Sequence, residues 1–142
     1  MVAQDGGMEL PADLARQRFA SVMVARLATV GPDGRPHLVP VTFAVQEDRI
    51  YTAVDHKPKR TTNLRRLRNI AANPHVAVLA DHYEADWQRL WWVRADGVAR
   101  IVEHDAEGAR LLSLRYPQYR TDPPQGPVIV ISAERWSGWS AS

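Results

Sequence analysis

Residues 50 to 70 read Ile-Tyr-Thr-Ala-Val-Asp-His-Lys-Pro-Lys-Arg-Thr-Thr-Asn-Leu-Arg-Arg-Leu-Arg-Asn-Ile. The first five predict a short strand, and Leu64, Leu67 and Ile70 predict the inward side of a helix. Between them lie cations and the candidate helix caps Thr61, Thr62 and Asn63. A strand that leads into a helix in this way suits a phosphate, because the first-turn N–H groups and the helix dipole point at the anion. The alternative, a helix with a basic solvent face, stays open.

The positive charge of the chain is local rather than global. The 142 residues carry 18 basic and 16 acidic side chains, a net charge of +2, which predicts no nucleic-acid partner. Six of the cations lie between Lys57 and Arg68 with no acid among them. The chain has no cysteine, which excludes disulfides, thiolate metal sites and cysteine nucleophiles and fits a reducing compartment.

The length and hydropathy pattern indicate one domain. Residues 1 to 8 are small and polar and are expected to be disordered, and residues 9 to 142 are expected to form a single domain. No signal peptide is recognised, and no apolar run approaches the ~20 residues of a membrane span. We therefore expect a cytoplasmic protein without a membrane partner.

Turn signals divide the chain into about six strands and three helices, which predicts a mainly β fold with flanking helices. Because short turns join the first three strands, we expect an antiparallel meander in a closed sheet. Gly97 predicts a bulge, and Asp105 predicts a helix cap. Strands are predicted at 22–30, 35–45, 50–54, 75–80, 90–103 and 128–136, and helices at 9–21, before Asn73-Pro74 and after Asp105, with a loop at 116–127.

No catalytic or metal-binding residue is predicted. The five histidines are scattered, no nucleotide-binding glycine motif is present, and no Ser-His-Asp arrangement stands out. If the protein is an enzyme, a cofactor therefore performs the chemistry while the protein binds and orients it.

Tryptophan and proline provide two further signals. Trp91 and Trp92 are predicted to face opposite sides of one strand, and the late Trp136 and Trp139 predict an interface or a cover over a ligand. Pro40 cannot donate to a ladder, so its strand is expected at an edge or irregular. Backbone groups that lack a ladder partner near Pro40 could hydrogen-bond to the edge of a flat heterocycle.

The order of several segments resembles a known family. These segments are 27–30 (Leu-Ala-Thr-Val), 31–36 (Gly-Pro-Asp-Gly-Arg-Pro), 39–43 (Val-Pro-Val-Thr-Phe), 50–52 (Ile-Tyr-Thr), 73–79 (Asn-Pro-His-Val-Ala-Val-Leu) and 91–97 (Trp-Trp-Val-Arg-Ala-Asp-Gly). Together they resemble the pyridoxamine 5′-phosphate oxidase-like superfamily, and within it the actinobacterial coenzyme F-420 (deazaflavin) dependent oxidoreductases. The resemblance covers roughly residues 9 to 139.

This resemblance implies a fold and a cofactor site. The fold is a six-stranded antiparallel split β-barrel, the FMN-binding split barrel, which forms a homodimer with two cofactor sites at the subunit interface. The Trp91–Arg94 strand and Arg135-Trp136 would approach from the partner subunit. The implied cofactor-binding residues are Thr52, Lys57, Lys59, Arg60, Thr62 and Asn63 at the phosphate, Val41, Thr42 and Phe43 along the ring, and Trp92, Arg94 and Trp136 from the partner.

The expected function is an F-420-dependent reductase that transfers hydride to a small conjugated or heteroaromatic acceptor. One alternative keeps the fold and uses FMN as the cofactor. A second is a binding protein without turnover that holds the cofactor, haem or a tetrapyrrole.

Overall fold

The computed structural model describes residues 7–54 and 64–142. Within these ranges the chain forms eight strands and four α-helices. The strands are β1 (Met8–Glu9), β2 (Ala25–Val30), β3 (Pro36–Val41), β4 (Ala44–Gln46), β5 (Arg49–Ala53), β6 (His75–His82), β7 (Trp91–Val102) and β8 (Val128–Ser140). The helices are α1 (Ala12–Ala20), α2 (Arg65–Ala72), α3 (Ala106–Arg115) and α4 (Pro117–Thr121).

One antiparallel sheet contains all eight strands, in the order β3-β2-β6-β7-β8-β5-β4 with β1 added beside β8. The strands β3 and β4 lie at opposite ends of this order, although only Thr42 and Phe43 separate them in the chain. The sheet must therefore curl until its ends meet at this dipeptide, which we call the corner. The predicted split β-barrel is confirmed.

The predicted strand at 35–45 is wrong in one respect, because the corner divides it into β3 and β4. The first part pairs with β2 from Pro36 to Val41, and the second pairs with β5 from Ala44 to Gln46. Pro40 accordingly lies in an edge strand, as predicted. The meander forms as two separate hairpins, one on each side of the corner.

Other boundaries differ by a few residues. The last strand continues to Ser140, since β7 and β1 both pair with its end. The predicted loop at 116–127 contains α4, and Met8, predicted as disordered, pairs with Ser140. The cap is confirmed, because the Asp105 carboxylate accepts from the Gly108 N–H at 2.9 Å.

The bulge at Gly97 is also confirmed. The register between β7 and β8 shifts between Asp96 and Gly97. A Cβ at Gly97 would overlap the backbone oxygen of Ser132, so the two strands approach more closely there than any side chain allows.

The main core fills the inside of the curled sheet. Leu27, Val78 and Val93 face inward, and α1 adds the buried Phe19. The helix α2 packs against β2 and β7, and α3 packs against β4 and β5. Outward-facing residues of β2 and β6 remain at the surface, where Leu79 is half-buried. Within the described residues, no helix is both long and apolar enough to cross a membrane.

Candidate functional site

The cation-rich segment between β5 and α2 is described only at its two ends. Lys57, Lys59, Arg60, Thr62 and Asn63 lie outside the described residues. Before them, Val54 donates to the Pro127 carbonyl at 2.9 Å, which fixes the end of β5. The buried Thr52 lies in β5 opposite Ile129.

The helix after this segment begins later than its predicted caps. It starts at Arg65, and Leu64 takes the N-cap position without a side-chain hydrogen bond. The predicted caps Thr61, Thr62 and Asn63 lie outside the described residues. Leu64 packs against the core, which fixes where the chain enters the helix. Arg65 pairs with Asp33 at 3.3 Å, which brings the start of α2 to the turn between β2 and β3.

The corner is held by the Tyr116 hydroxyl. The Phe43 N–H donates to this hydroxyl at 2.9 Å, and the hydroxyl lies 2.9 Å from the Phe43 carbonyl and 2.8 Å from the Met23 carbonyl. The expected free backbone groups are therefore not found at Phe43, since Tyr116 occupies both. The Thr42 hydroxyl lies 3.3 Å from the Tyr119 hydroxyl.

Arg115 reinforces the same corner. Its guanidinium lies 4.9 Å from the centre of the Phe43 ring and donates to the carbonyls of Ala20 and Val22. The Phe43 ring is fully buried, with its centre 4.8 Å from that of Phe19. Sequence reasoning missed Arg115, Tyr116 and Tyr119, because they lie more than 70 residues from the corner and follow no local pattern.

Two further predicted residues, Trp92 and Arg94, lie on the outer face of β7, whereas Trp136 of β8 lies opposite the buried Ala95. Trp91 is buried in the core and Trp92 faces outward, as the alternation predicted. Trp92 lies opposite Trp139, and Arg94 lies opposite Ser137. These side chains border a groove of about 320 Å³, which we call the outer groove; it is lined by Glu9, Leu10, Trp92, Arg94, Arg135, Trp136, Ser137, Gly138 and Trp139.

Trp136 is fixed at the border of the outer groove. Its indole N–H donates to the Asp48 carboxylate at 2.9 Å, and its ring meets that of Phe19 edge-on at 5.3 Å. Asp48 also accepts from Arg16 at 3.3 Å. The turn that presents Asp48 contains Glu47 with φ 54°, a left-handed conformation.

The end of β5, next to the predicted phosphate residues, does not meet the outer groove within one protomer. The end of β5 lies opposite Val128, whereas the outer groove lies near Ser137 of the same strand. About nine residues of strand separate the two positions, or about 30 Å at ~3.4 Å per residue. The end of β5 and the outer groove therefore form separate parts of the candidate site, while the rings of Phe43 at the corner and of Trp136 both contact Phe19 inside the barrel.

The described residues offer several groups that can bind a ligand. Among residues 7–54 and 64–142, no group of three or more His, Asp or Glu side chains could hold a metal ion. What remains is an edge strand beside the corner, a donor-rich groove and fixed tryptophans. Such an arrangement can bind and orient a planar molecule and exclude water from it.

Comparisons with known proteins agree with this fold. A family model described as pyridoxamine 5′-phosphate oxidase matches residues 12–140. A 5a,11a-dehydrotetracycline/5a,11a-dehydrooxytetracycline reductase of Streptomyces rimosus is 41% identical over 56 residues, which span 39% of this chain and only 38% of the reductase.

Two solved structures share the fold at low identity. An FAD-binding protein of Mesorhizobium loti has a TM-score of 0.72 at 22% identity, with 96% of this chain and 99% of that chain covered. HutZ, a heme storage protein of Vibrio cholerae, has a TM-score of 0.67 at 18% identity, with 89% and 92% covered.

Proposed function

Because the chain belongs to the pyridoxamine 5′-phosphate oxidase family, we propose that it is a homodimeric oxidoreductase that uses coenzyme F-420. The bound deazaflavin would supply a hydride to a small conjugated or heteroaromatic acceptor. The partial match to a tetracycline reductase supports reduction of a conjugated ring system.

The separation of the end of β5 from the outer groove is the observation that carries the proposal. About 30 Å of β8 lies between the end of β5 and Ser137 in one protomer, so a single bound ring cannot touch both of these places. A second copy of the chain can bring its outer groove to the corner of the first. The described residues fit a planar group there, because β3 is an edge strand and its outward backbone groups face no neighbouring strand in the described sheet.

The residues are assigned separate roles in binding. Lys57, Lys59 and Arg60 neutralise the phosphate, with Thr52, Thr62 and Asn63 nearby. The backbone of Val41 and Thr42 runs along the ring, while buried Phe43 fixes the corner from inside. Trp92, Arg94 and Trp136 of the second subunit close the site and exclude water.

FMN is the first alternative cofactor, and the likeness to an FAD-binding protein favours it. Both cofactors carry a tricyclic ring and a phosphate, so the corner does not distinguish them. F-420 also carries an acidic tail. Arg65, Arg66 and Arg68 of α2 follow the proposed phosphate residues in the chain and would contact this tail. A haem-binding protein without turnover is the second alternative, favoured by the likeness to a heme storage protein.

Titration of the intrinsic tryptophan fluorescence tests the proposal. The purified protein is titrated separately with F-420, FMN and haemin. We expect saturable quenching by F-420 at micromolar concentrations and much weaker quenching by FMN and haemin. Substitution of Lys57, Lys59 and Arg60 by alanine should weaken F-420 binding by at least about a hundredfold, since three charge-assisted contacts are lost.

The matched control replaces Arg49, Arg100 and Arg110 by alanine, which removes the same charge from β5, β7 and α3. This variant should bind F-420 as the unmodified protein does. Equal weakening in both variants would show only a general effect of net charge. Quenching by FMN alone, or by haemin alone, would replace the proposal with the corresponding alternative.

A further inference from the structure

We propose that the outer groove is an acceptor site for planar carboxylic acids, and that Arg135 binds their carboxylate. The inference rests on the proposed function and names its substrate class. It adds Arg135, Ser137 and Trp139 to the site, beside Trp92 and Arg94.

The polar side chains of the outer groove are almost all hydrogen-bond donors. Arg94 and Arg135 contribute guanidinium groups, Ser137 a hydroxyl and Trp139 an indole N–H. Glu9 is the one acidic side chain in the lining. A surface with this composition is complementary to a ligand that carries anionic oxygen atoms.

Two of these donors are buried without a partner. The hydroxyl of Ser137 and the indole nitrogen of Trp139 have no hydrogen-bond partner in the structure, and Trp139 is only 5% exposed. Buried polar groups in folded proteins nearly always have a partner, because a missing one costs stability. Gly7 lies against the Trp139 indole nitrogen, so the Ser137 hydroxyl is the donor that a molecule bound in the groove would complete.

Of the two arginines in the outer groove, Arg135 is the better placed to bind a ligand carboxylate. Arg94 is held by Asp96, with its Nε 3.1 Å from the carboxylate. No ion pair or hydrogen bond engages the Arg135 side chain in the part of the chain that the structure describes. Asp96 is the cross-strand neighbour of Arg135, but its carboxylate is engaged by Arg94, which leaves the Arg135 guanidinium for a bidentate contact with a ligand carboxylate.

The shape of the groove favours an aromatic acid. The half-buried Trp92 lines the groove and offers an aromatic surface, whereas Trp139 opposite it is only 5% exposed. The volume of about 320 Å³ is at the lower end of the ~300–1,000 Å³ that small-molecule sites span. It therefore suits a molecule of two or three rings rather than a complete deazaflavin with its tail.

Binding of a matched acid and amide tests the inference. The full-length protein is titrated by calorimetry with 2-naphthoate and with 2-naphthamide, which differ only in the charged group. We expect 2-naphthoate to bind at least about tenfold more tightly. Arg135→Gln should remove this preference and leave the weak binding of the amide unchanged.

Arg100→Gln is the control, because Arg100 is an exposed cation of the same strand as Arg94, about 20 Å along β7. It should leave both affinities unchanged. The F-420 titration is repeated with Arg135→Gln and is expected to give the affinity of the unmodified protein. The effects of the substitution on F-420 affinity and on acid affinity are thus measured separately.

Three results would overturn the inference. The first is equal affinity for the acid and the amide, or no binding of either. The second is an acid preference that survives Arg135→Gln. The third is loss of F-420 affinity in Arg135→Gln, which would assign the outer groove to the cofactor. Failure of F-420 to bind any variant would overturn the proposed function but leave the acid preference intact.

Discussion

At the scale of single residues, the Tyr116 hydroxyl holds the corner. It accepts from the Phe43 N–H and donates to one of the two carbonyls within 2.9 Å. Tyr116→Phe removes this hydroxyl and leaves the buried N–H and one carbonyl without a partner. We expect the free energy of unfolding to fall by about 2–4 kcal/mol, measured by urea denaturation.

Tyr119→Phe is the matched control. It removes only the 3.3 Å contact with the Thr42 hydroxyl, which is partly exposed. Its cost should stay below about 1 kcal/mol. Equal losses in the two variants would contradict the assignment of the corner to Tyr116.

Single residues also show where sequence reasoning succeeds. The outward side of Trp92 and the cap at Asp105 follow from strand alternation and from the side-chain oxygen of Asp, and both are observed. The roles of Tyr116 and Asp48 do not follow from any local pattern, because each depends on a partner more than 70 residues away.

At the scale of elements, the close approach of β7 and β8 at Gly97 is the most sensitive point. Gly97→Ala places a methyl group against the backbone oxygen of Ser132, and a backbone atom cannot move aside as a side chain can. We expect a loss of about 2–3 kcal/mol in unfolding free energy, measured by denaturation in urea. Asp96→Ala, which removes only the exposed pair with Arg94, should cost below about 1 kcal/mol.

Prediction of the elements succeeded where turns and periodicity are local. The hairpin between β2 and β3 follows from Gly31-Pro32-Asp33-Gly34, and the bulge follows from Gly97. The division of the second strand was missed, because Val41, Thr42 and Phe43 at the corner are all β-forming residues. Only the meeting of the two sheet ends, a property of the closed barrel, requires the chain to turn there.

At the scale of the whole molecule, the proposed dimer should depend on the outer sheet face. Leu79 lies on β6 opposite Arg94, next to the outer groove. A carboxylate at this position would be buried by a second copy, at a large desolvation cost. We expect Leu79→Glu to elute as a monomer in size-exclusion chromatography and to bind F-420 at least about tenfold more weakly.

Leu114→Glu is the control for this prediction, because Leu114 is an exposed leucine of α3, on the helix that packs against β4 and β5. It should elute with the unmodified protein and bind F-420 equally well. A monomeric unmodified protein that still binds F-420 tightly would refute the two-subunit site.

The corner also bears on how the chain folds. Its tie to Tyr116 joins residues 73 positions apart, and contacts of long sequence separation form late because loop closure costs entropy. The two local hairpins can form first, each on its own side of the corner. Closure of the barrel would then be a final kinetic step and its opening the first step of unfolding. The corner would thus govern the lifetime of the folded state more than the rate at which it is reached.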